Sequence, residues 1–97
     1  MAGYIILTKI TQQGIGNIKQ MPEMISQGKA LAGSMGVRPV GTWLTLGEYD
    51  LVMVVDAPDD QTVGAFVLAM AQGGSGTTQT MRAFSENEIA ELVGRLP

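Results

Sequence analysis

The residues of this chain whose types and spacing suggest chemistry stand in three settings. Gly47-Glu48-Tyr49-Asp50 sets a phenol beside a carboxylate, Arg82 stands between apolar residues, and Tyr4, Lys9 and Trp43 lie in other extended runs. With Tyr49 as phenolic proton donor, Asp50 as base or orienting acceptor and Arg82 as cation, this trio is the candidate machinery for a cofactor-free oxidation or isomerisation. Tyr4, Lys9, Trp43, Tyr49 and Arg82 are the candidate ligand-binding set. Their rings suit a flat or aromatic molecule and their cations an anionic one.

Each candidate also has a plain structural role. A tight hairpin calls for a glycine, an aromatic to cover it and a carboxylate to accept backbone N–H groups. Long cations beside strands reach to solvent or pair with acids, and Asp50, Asp56 and Glu48 are the acids expected to meet Arg82. Strand aromatics fill cores or oligomer interfaces. Met24, Met35, Met53, Met70 and Met81 read as adaptable packing.

The residue types that are missing narrow the chemistry. The 97 residues include no cysteine and no histidine, which removes disulfides, thiolate metal sites, Ser-His-Asp and Cys-His nucleophile systems and histidine-ligated haem. No metal or cofactor is expected. Six Lys and Arg against nine Asp and Glu give a net charge of -3, with no basic cluster for a phosphate backbone, so nucleic acid is not an expected partner. Leu51 to Val55 is too short to span a bilayer, and no secretory signal opens the chain, which makes the cytoplasm the expected location. Gly73-Gly74-Ser75-Gly76-Thr77-Thr78 precedes a strand and has no lysine, so it reads as a turn, not a phosphate loop.

These side chains must be positioned by a single domain over residues 1–97, since 45% apolar content and 15% charge suit one hydrophobic core. Gly3 to Ile10 is rich in β-branched and aromatic residues and predicts the first strand. Gly14 and Gly16 predict a bend, with a single helical turn around Ile15 and Ile18. Pro22 to Met35 predicts a helix, opened by a proline whose missing N–H is harmless there and closed by Gly36. Val37 to Leu46 and Asp50 to Ala57 predict a hairpin around Gly47-Glu48-Tyr49.

Leu51-Val52-Met53-Val54-Val55 shows no polar alternation, so both sides of that strand need cover. Asp59 is the expected N-cap of a helix with the stripe Val63, Phe66, Val67 and Met70. Thr77 to Phe84 predicts a more polar edge strand. Ser85-Glu86-Asn87-Glu88 matches a capping box, with Phe84 and Ile89 as its hydrophobic staple and Ile89, Leu92, Val93 and Leu96 as the stripe of a last helix. The order β-α-β-β-α-β-α predicts an α+β, ferredoxin-like antiparallel sheet with a C-terminal helix. Strands one and three are central, and the uncovered sheet face is buried by a second copy.

At Gly41-Thr42-Trp43-Leu44-Thr45-Leu46-Gly47-Glu48-Tyr49-Asp50 the chain resembles the GYD family of small bacterial proteins. The likeness extends over Tyr4-Ile5-Ile6-Leu7-Thr8-Lys9, Gln13 to Lys19, Asp56 to Asp60 and Arg82-Ala83-Phe84, nearly the whole length. The resemblance implies the dimeric α/β-barrel arrangement, in which two ferredoxin-like sheets pack face to face with a ligand cavity beside each. Proteins of that shape include cofactor-free monooxygenases, lactone isomerases and haem-degrading enzymes. The resulting expectation is a homo-oligomer that binds a small molecule beside the sheet. Its alternatives are a cofactor-free oxidoreductase or isomerase and a structural assembly module.

Overall fold

The computed structural model describes all 97 residues, Met1–Pro97. Strand β1 (Ala2–Ile10) leads through the short helix α1 (Gln12–Gly16) and a 3-10 turn (Ile18–Gln20) into helix α2 (Met21–Ser34). The hairpin strands β2 (Arg38–Leu44) and β3 (Leu51–Ala57) follow, then α3 (Asp60–Ala71), β4 (Gly76–Ala83) and α4 (Glu86–Gly94). The strands lie in the order β2-β3-β1-β4, every neighbouring pair antiparallel. This is the ferredoxin-like α+β arrangement, with the two most apolar strands in the centre and the threonine-rich β4 at an edge.

Side chains alternate across a strand, so cross-strand pairs share a face. Tyr4 opposite Val55 and Ile6 opposite Met53 mark the face that meets α2 and α3. Its core is Tyr4, Ile6, Val37, Val55 and Ala57 packed against Ala32 of α2 and Val63 and Phe66 of α3. Burying each large member contributes about 1.5–3 kcal/mol. Ile5 opposite Val54 and Leu7 opposite Val52 mark the other face. Trp43, paired with Val52, and Met81, paired with Ile5, extend it to both edges. None of these six side chains is buried, so the apolar character of β3 is covered by this chain on one side only.

Local signals end the elements where the sequence suggests. Asp59 accepts the Thr62 N–H at 2.8 Å and caps α3. Ser85 and Glu88 exchange both bonds of the capping box that opens α4. Thr11 caps α1, its hydroxyl accepting the Gly14 N–H at 3.2 Å. The strand expected to reach Leu46 stops at Leu44 instead, because Thr45 N–H donates to the Asp50 carbonyl at 2.8 Å and closes the loop there. Leu46 is left in solvent, and Gly47 supplies the positive φ of 137° that the turn needs. The apolar stripe of α4 also faces solvent, and that helix buries no residue. No helix is long and apolar enough to cross a membrane.

Candidate functional site

The hairpin residues act first on the backbone. Asp50 N–H donates to the Thr8 carbonyl at 2.8 Å, and its Oδ2 accepts the Ile10 N–H at 2.8 Å. Asp50 therefore ties the β2–β3 turn to the end of β1, satisfying a donor beyond the last β1–β3 pair. Thr45 Oγ1 donates to the Tyr49 carbonyl at 2.6 Å, and the Tyr49 hydroxyl donates to Gln79 Oε1 at 2.6 Å across to β4. Lys9 Nζ lies 5.5 Å from the Tyr49 ring centroid and 3.7 Å from Glu48 Oε1. Lys9, Glu48, Tyr49 and Asp50 thus form one cluster at this end of the sheet.

Tyr4 and Arg82 form a second cluster at the other end. They are cross-strand partners, with the guanidinium 5.7 Å from the Tyr4 ring centroid and 4.4 Å from that of Phe84. Arg82 Nη1 donates to the Gly3 carbonyl at 3.1 Å and to the Ala83 carbonyl, and Nη2 donates to Glu88 Oε2 at 2.8 Å. The Arg82 hydrogen bond, followed by the Ser85 N–H, holds the Glu88 carboxyl below its ordinary pKa. Tyr4 is a core residue whose hydroxyl donates to Asp60 Oδ1 at 2.6 Å, and that bond raises the phenol above its ordinary pKa.

The acids expected to meet Arg82 are engaged elsewhere. Asp50 takes Ile10 N–H, Asp56 takes Arg38 and Glu48 takes Lys9. The reason is positional: Arg82 closes β4 next to the capping turn of α4, so Glu88 reaches it first. Nor do Tyr49, Asp50 and Arg82 converge. Arg82 shares the helix-side face with Tyr4, whereas Gln79, which holds the Tyr49 hydroxyl, pairs with Leu7 on the open face. No group of three or more metal-ligating side chains comes together.

Trp43 stands on the open face and is 54% exposed. Its indole lies over Gly41, where an added Cβ would meet the ring at 2.4 Å. Gly41 follows a β-bulge between Pro39 and Gly41 that re-aims the strand. The signature glycine therefore makes room for the tryptophan to lie along the sheet.

A cleft of about 490 Å³ opens on the helix side of the sheet, beyond the packed core. Thr8, Thr42 and Met53 line its floor, and Met21, Met24 and Met70 line its helical wall. None of the 21 lining residues is charged. The Thr42 hydroxyl is buried and makes no hydrogen bond. Of the candidate ligand-binding residues Tyr4, Lys9, Trp43, Tyr49 and Arg82, none lines this cleft. By spacing alone Met24, Met53 and Met70 read as packing, and Thr42 carries no chemistry. The signal available was polar Thr8 and Thr42 at positions in phase with the core.

With this geometry in view, the likenesses to known proteins are informative. The GYD domain model matches residues 4–93. The chain is 36% identical over 97 residues to the glutamine synthetase and cystathionine beta-lyase binding protein of Thermus thermophilus, covering 99% of both chains. The crystal structure of FFRP-DM1 superposes with a TM-score of 0.59 over 87% of this chain and 100% of that one, at 17% identity, a likeness of fold.

Proposed function

This chain belongs to the GYD domain family, and from that premise we propose that it is a homo-oligomeric binding domain that docks other proteins and takes a small molecule beside its sheet. The observation that carries the proposal is the open sheet face. Ile5, Leu7, Val52, Val54, Trp43 and Met81 form an apolar surface on two central and two edge strands. An apolar patch of that extent on a small domain marks an interaction surface. A second copy offers the same face, and a two-fold pairing of identical sheets is self-complementary.

Protein partners are supported by the Thermus thermophilus relative, whose name says that it binds two enzymes. The exposed stripe Ile89, Leu92, Val93 and Leu96 on α4 supplies a further apolar surface of the kind such docking uses. Binding accounts for the geometry better than catalysis, because Tyr49, Asp50 and Arg82 are each committed to structural bonds and Arg82 lies at the opposite end of the sheet from the other two.

Sedimentation velocity at micromolar concentration tests the self-association, which predicts a dimer or larger species and is contradicted by a stable monomer. Titration of purified glutamine synthetase and cystathionine beta-lyase onto the immobilised chain tests the docking. Saturable binding that weakens in a Leu92→Glu variant is expected, and identical binding by that variant would remove α4 from the docking surface.

A further inference from the structure

The two edges of the sheet are built differently. At one edge β2 opens with the charged Arg38, has at Pro39 a residue with no backbone N–H, and is bent by the bulge between Pro39 and Gly41. Each of these features keeps a further strand from adding there. At the other edge β4 runs in unbroken register with β1 from Gly76 to Ala83 and contains neither proline nor lysine. Its one charged side chain, Arg82, is turned back to the Gly3 carbonyl on β1 and to Glu88 on α4.

The register also says which backbone groups β4 leaves free. The Thr8 carbonyl and the Ile10 N–H turn toward Asp50 of the hairpin, whereas the Thr11 N–H meets the Ser75 carbonyl. Odd-numbered residues of β1 therefore bond to β4 and occupy Thr77, Gln79, Met81 and Ala83. The N–H and C=O groups of Gly76, Thr78, Thr80 and Arg82 point outward.

We propose that β4 pairs antiparallel with β4 of a second copy, about a two-fold axis at Gln79, and joins the two sheets edge to edge. With Gln79 opposite Gln79 of the partner subunit, Thr78 faces the partner's Thr80 and Gly76 faces the partner's Arg82, so every outward group meets its complement. Moving the axis to Thr78 or Thr80 sets Arg82 against Gly74 or Gly76 against Phe84, both outside the strand. The side chains agree with the axis at Gln79. Threonine pairs are favourable across strands, and Gly76 leaves room beside the bulk of Arg82. The two Arg82 residues stand about 20 Å apart along the strands, so like charges do not meet. Gln79, nearest the axis, is drawn to the hairpin by the Tyr49 hydroxyl. β2 cannot serve as the mate, because Pro39 lacks a donor and the bulge breaks the spacing. The axis is perpendicular to the sheet, which leaves both open faces on one side of the joined sheet. Edge pairing therefore does not depend on the open-face pairing and can coexist with it.

The chain has no cysteine, so introduced thiols report position without background. Gln79→Cys places two thiols at directly opposed residues, within disulfide reach, whereas Thr77→Cys sets them about 14 Å apart along the strands. Mild oxidation of the full chain at micromolar concentration should link Gln79→Cys at least about 10-fold faster than Thr77→Cys. Adding Thr78→Pro, which removes an outward N–H and spares the bonds to β1, should slow the linking about 10-fold. Adding Trp43→Glu, which charges the open face, should leave it unchanged. In the unmodified chain, hydrogen exchange at the Thr78 and Thr80 N–H groups should slow as concentration rises.

Equal linking at the two positions, or no slowing by Thr78→Pro, would overturn the proposed pairing. Thr78 and Thr80 exchange that is independent of concentration would overturn it as well. Linking that disappears with Trp43→Glu would assign the contact to the open face and remove the edge. Linking that persists in a chain whose open face fails to associate would uphold the edge and sink only the face pairing.

Discussion

Glu88 serves two elements through its two oxygens: Oε2 lies 2.8 Å from Arg82 Nη2 at the end of β4, and Oε1 accepts the Ser85 N–H at 3.1 Å to complete the cap of α4. One carboxylate thus fixes the direction in which the last helix leaves the sheet. Ser85→Ala, which removes half of the capping box, should cost about 1 kcal/mol and show as faster hydrogen exchange at the Ile89 N–H that closes the first turn.

The same junction sets an acid limit. The folded Glu88 carboxyl lies below its ordinary pKa, held by Arg82, and Asp59 is lowered likewise by the Thr62 hydroxyl and N–H. A depressed carboxylate contributes stability that is fully present above the ordinary carboxylate range of about 4 and is lost as pH falls through the folded values. Urea midpoints should therefore fall below about pH 4. Glu88→Gln, which can still cap but cannot ionise, should flatten part of that fall.

Tyr4 sets a limit on the alkaline side. Its phenol is raised by the hydrogen bond to Asp60, so its contribution is intact below the ordinary phenol value of about 10 and is lost as pH rises through the higher folded value. Tyr4→Phe keeps the ring in the core and removes the titrating group. Unfolding curves above pH 10 should then show a shallower loss of stability in the variant than in the native chain.

Gly14 and Gly16 share the first helical turn but differ in surroundings. A Cβ at Gly14 would lie 2.3 Å from the Ser75 carbonyl oxygen, which is backbone and already accepts the Thr11 N–H at 3.0 Å, whereas nothing lies within 4 Å of Gly16. Gly14→Ala should destabilise by about 1–3 kcal/mol. Gly16→Ala should be neutral or stabilise by up to about 1 kcal/mol. Urea denaturation with unchanged slope would check both, and an equal effect at the two positions would contradict the account.

Asp50→Ala should cost about 1–3 kcal/mol, because it strands the Ile10 N–H and loosens the turn from β1. Asp50→Asn, which keeps an acceptor oxygen, should recover most of the loss. Failure of the asparagine to rescue would show that the charge of Asp50, rather than its acceptor, matters.

Local chemistry made much of the fold legible. Pro22, Asp59 and Ser85-Glu88 carry their meaning within a few residues, and the helices they open lie within one residue of the positions they suggest. The apolar runs of β1 and β3 told which strands are central. What sequence could not reveal is long range. Arg82 finds Glu88 because β4 and α4 meet at a turn, and the cleft forms because the fold brings Thr8 and Thr42 of the sheet to methionines of α2 and α3. The placement of Arg82 and of Gln79, which holds the Tyr49 hydroxyl, on opposite faces follows from strand register, which a pattern of apolar residues sets only after pairing partners are known.

The proposed closure of the open sheet face on a second copy can be followed directly through Trp43. It is the only tryptophan, it stands on that face, and it is 54% exposed in the single chain. Its fluorescence should be followed by dilution from micromolar to nanomolar concentration, with acrylamide quenching and sedimentation in parallel. Pairing through this face predicts blue-shifted, quencher-protected emission in the associated species and a red shift that tracks dissociation. Water-exposed, freely quenched emission from an associated species, or a monomer throughout the range, would contradict it.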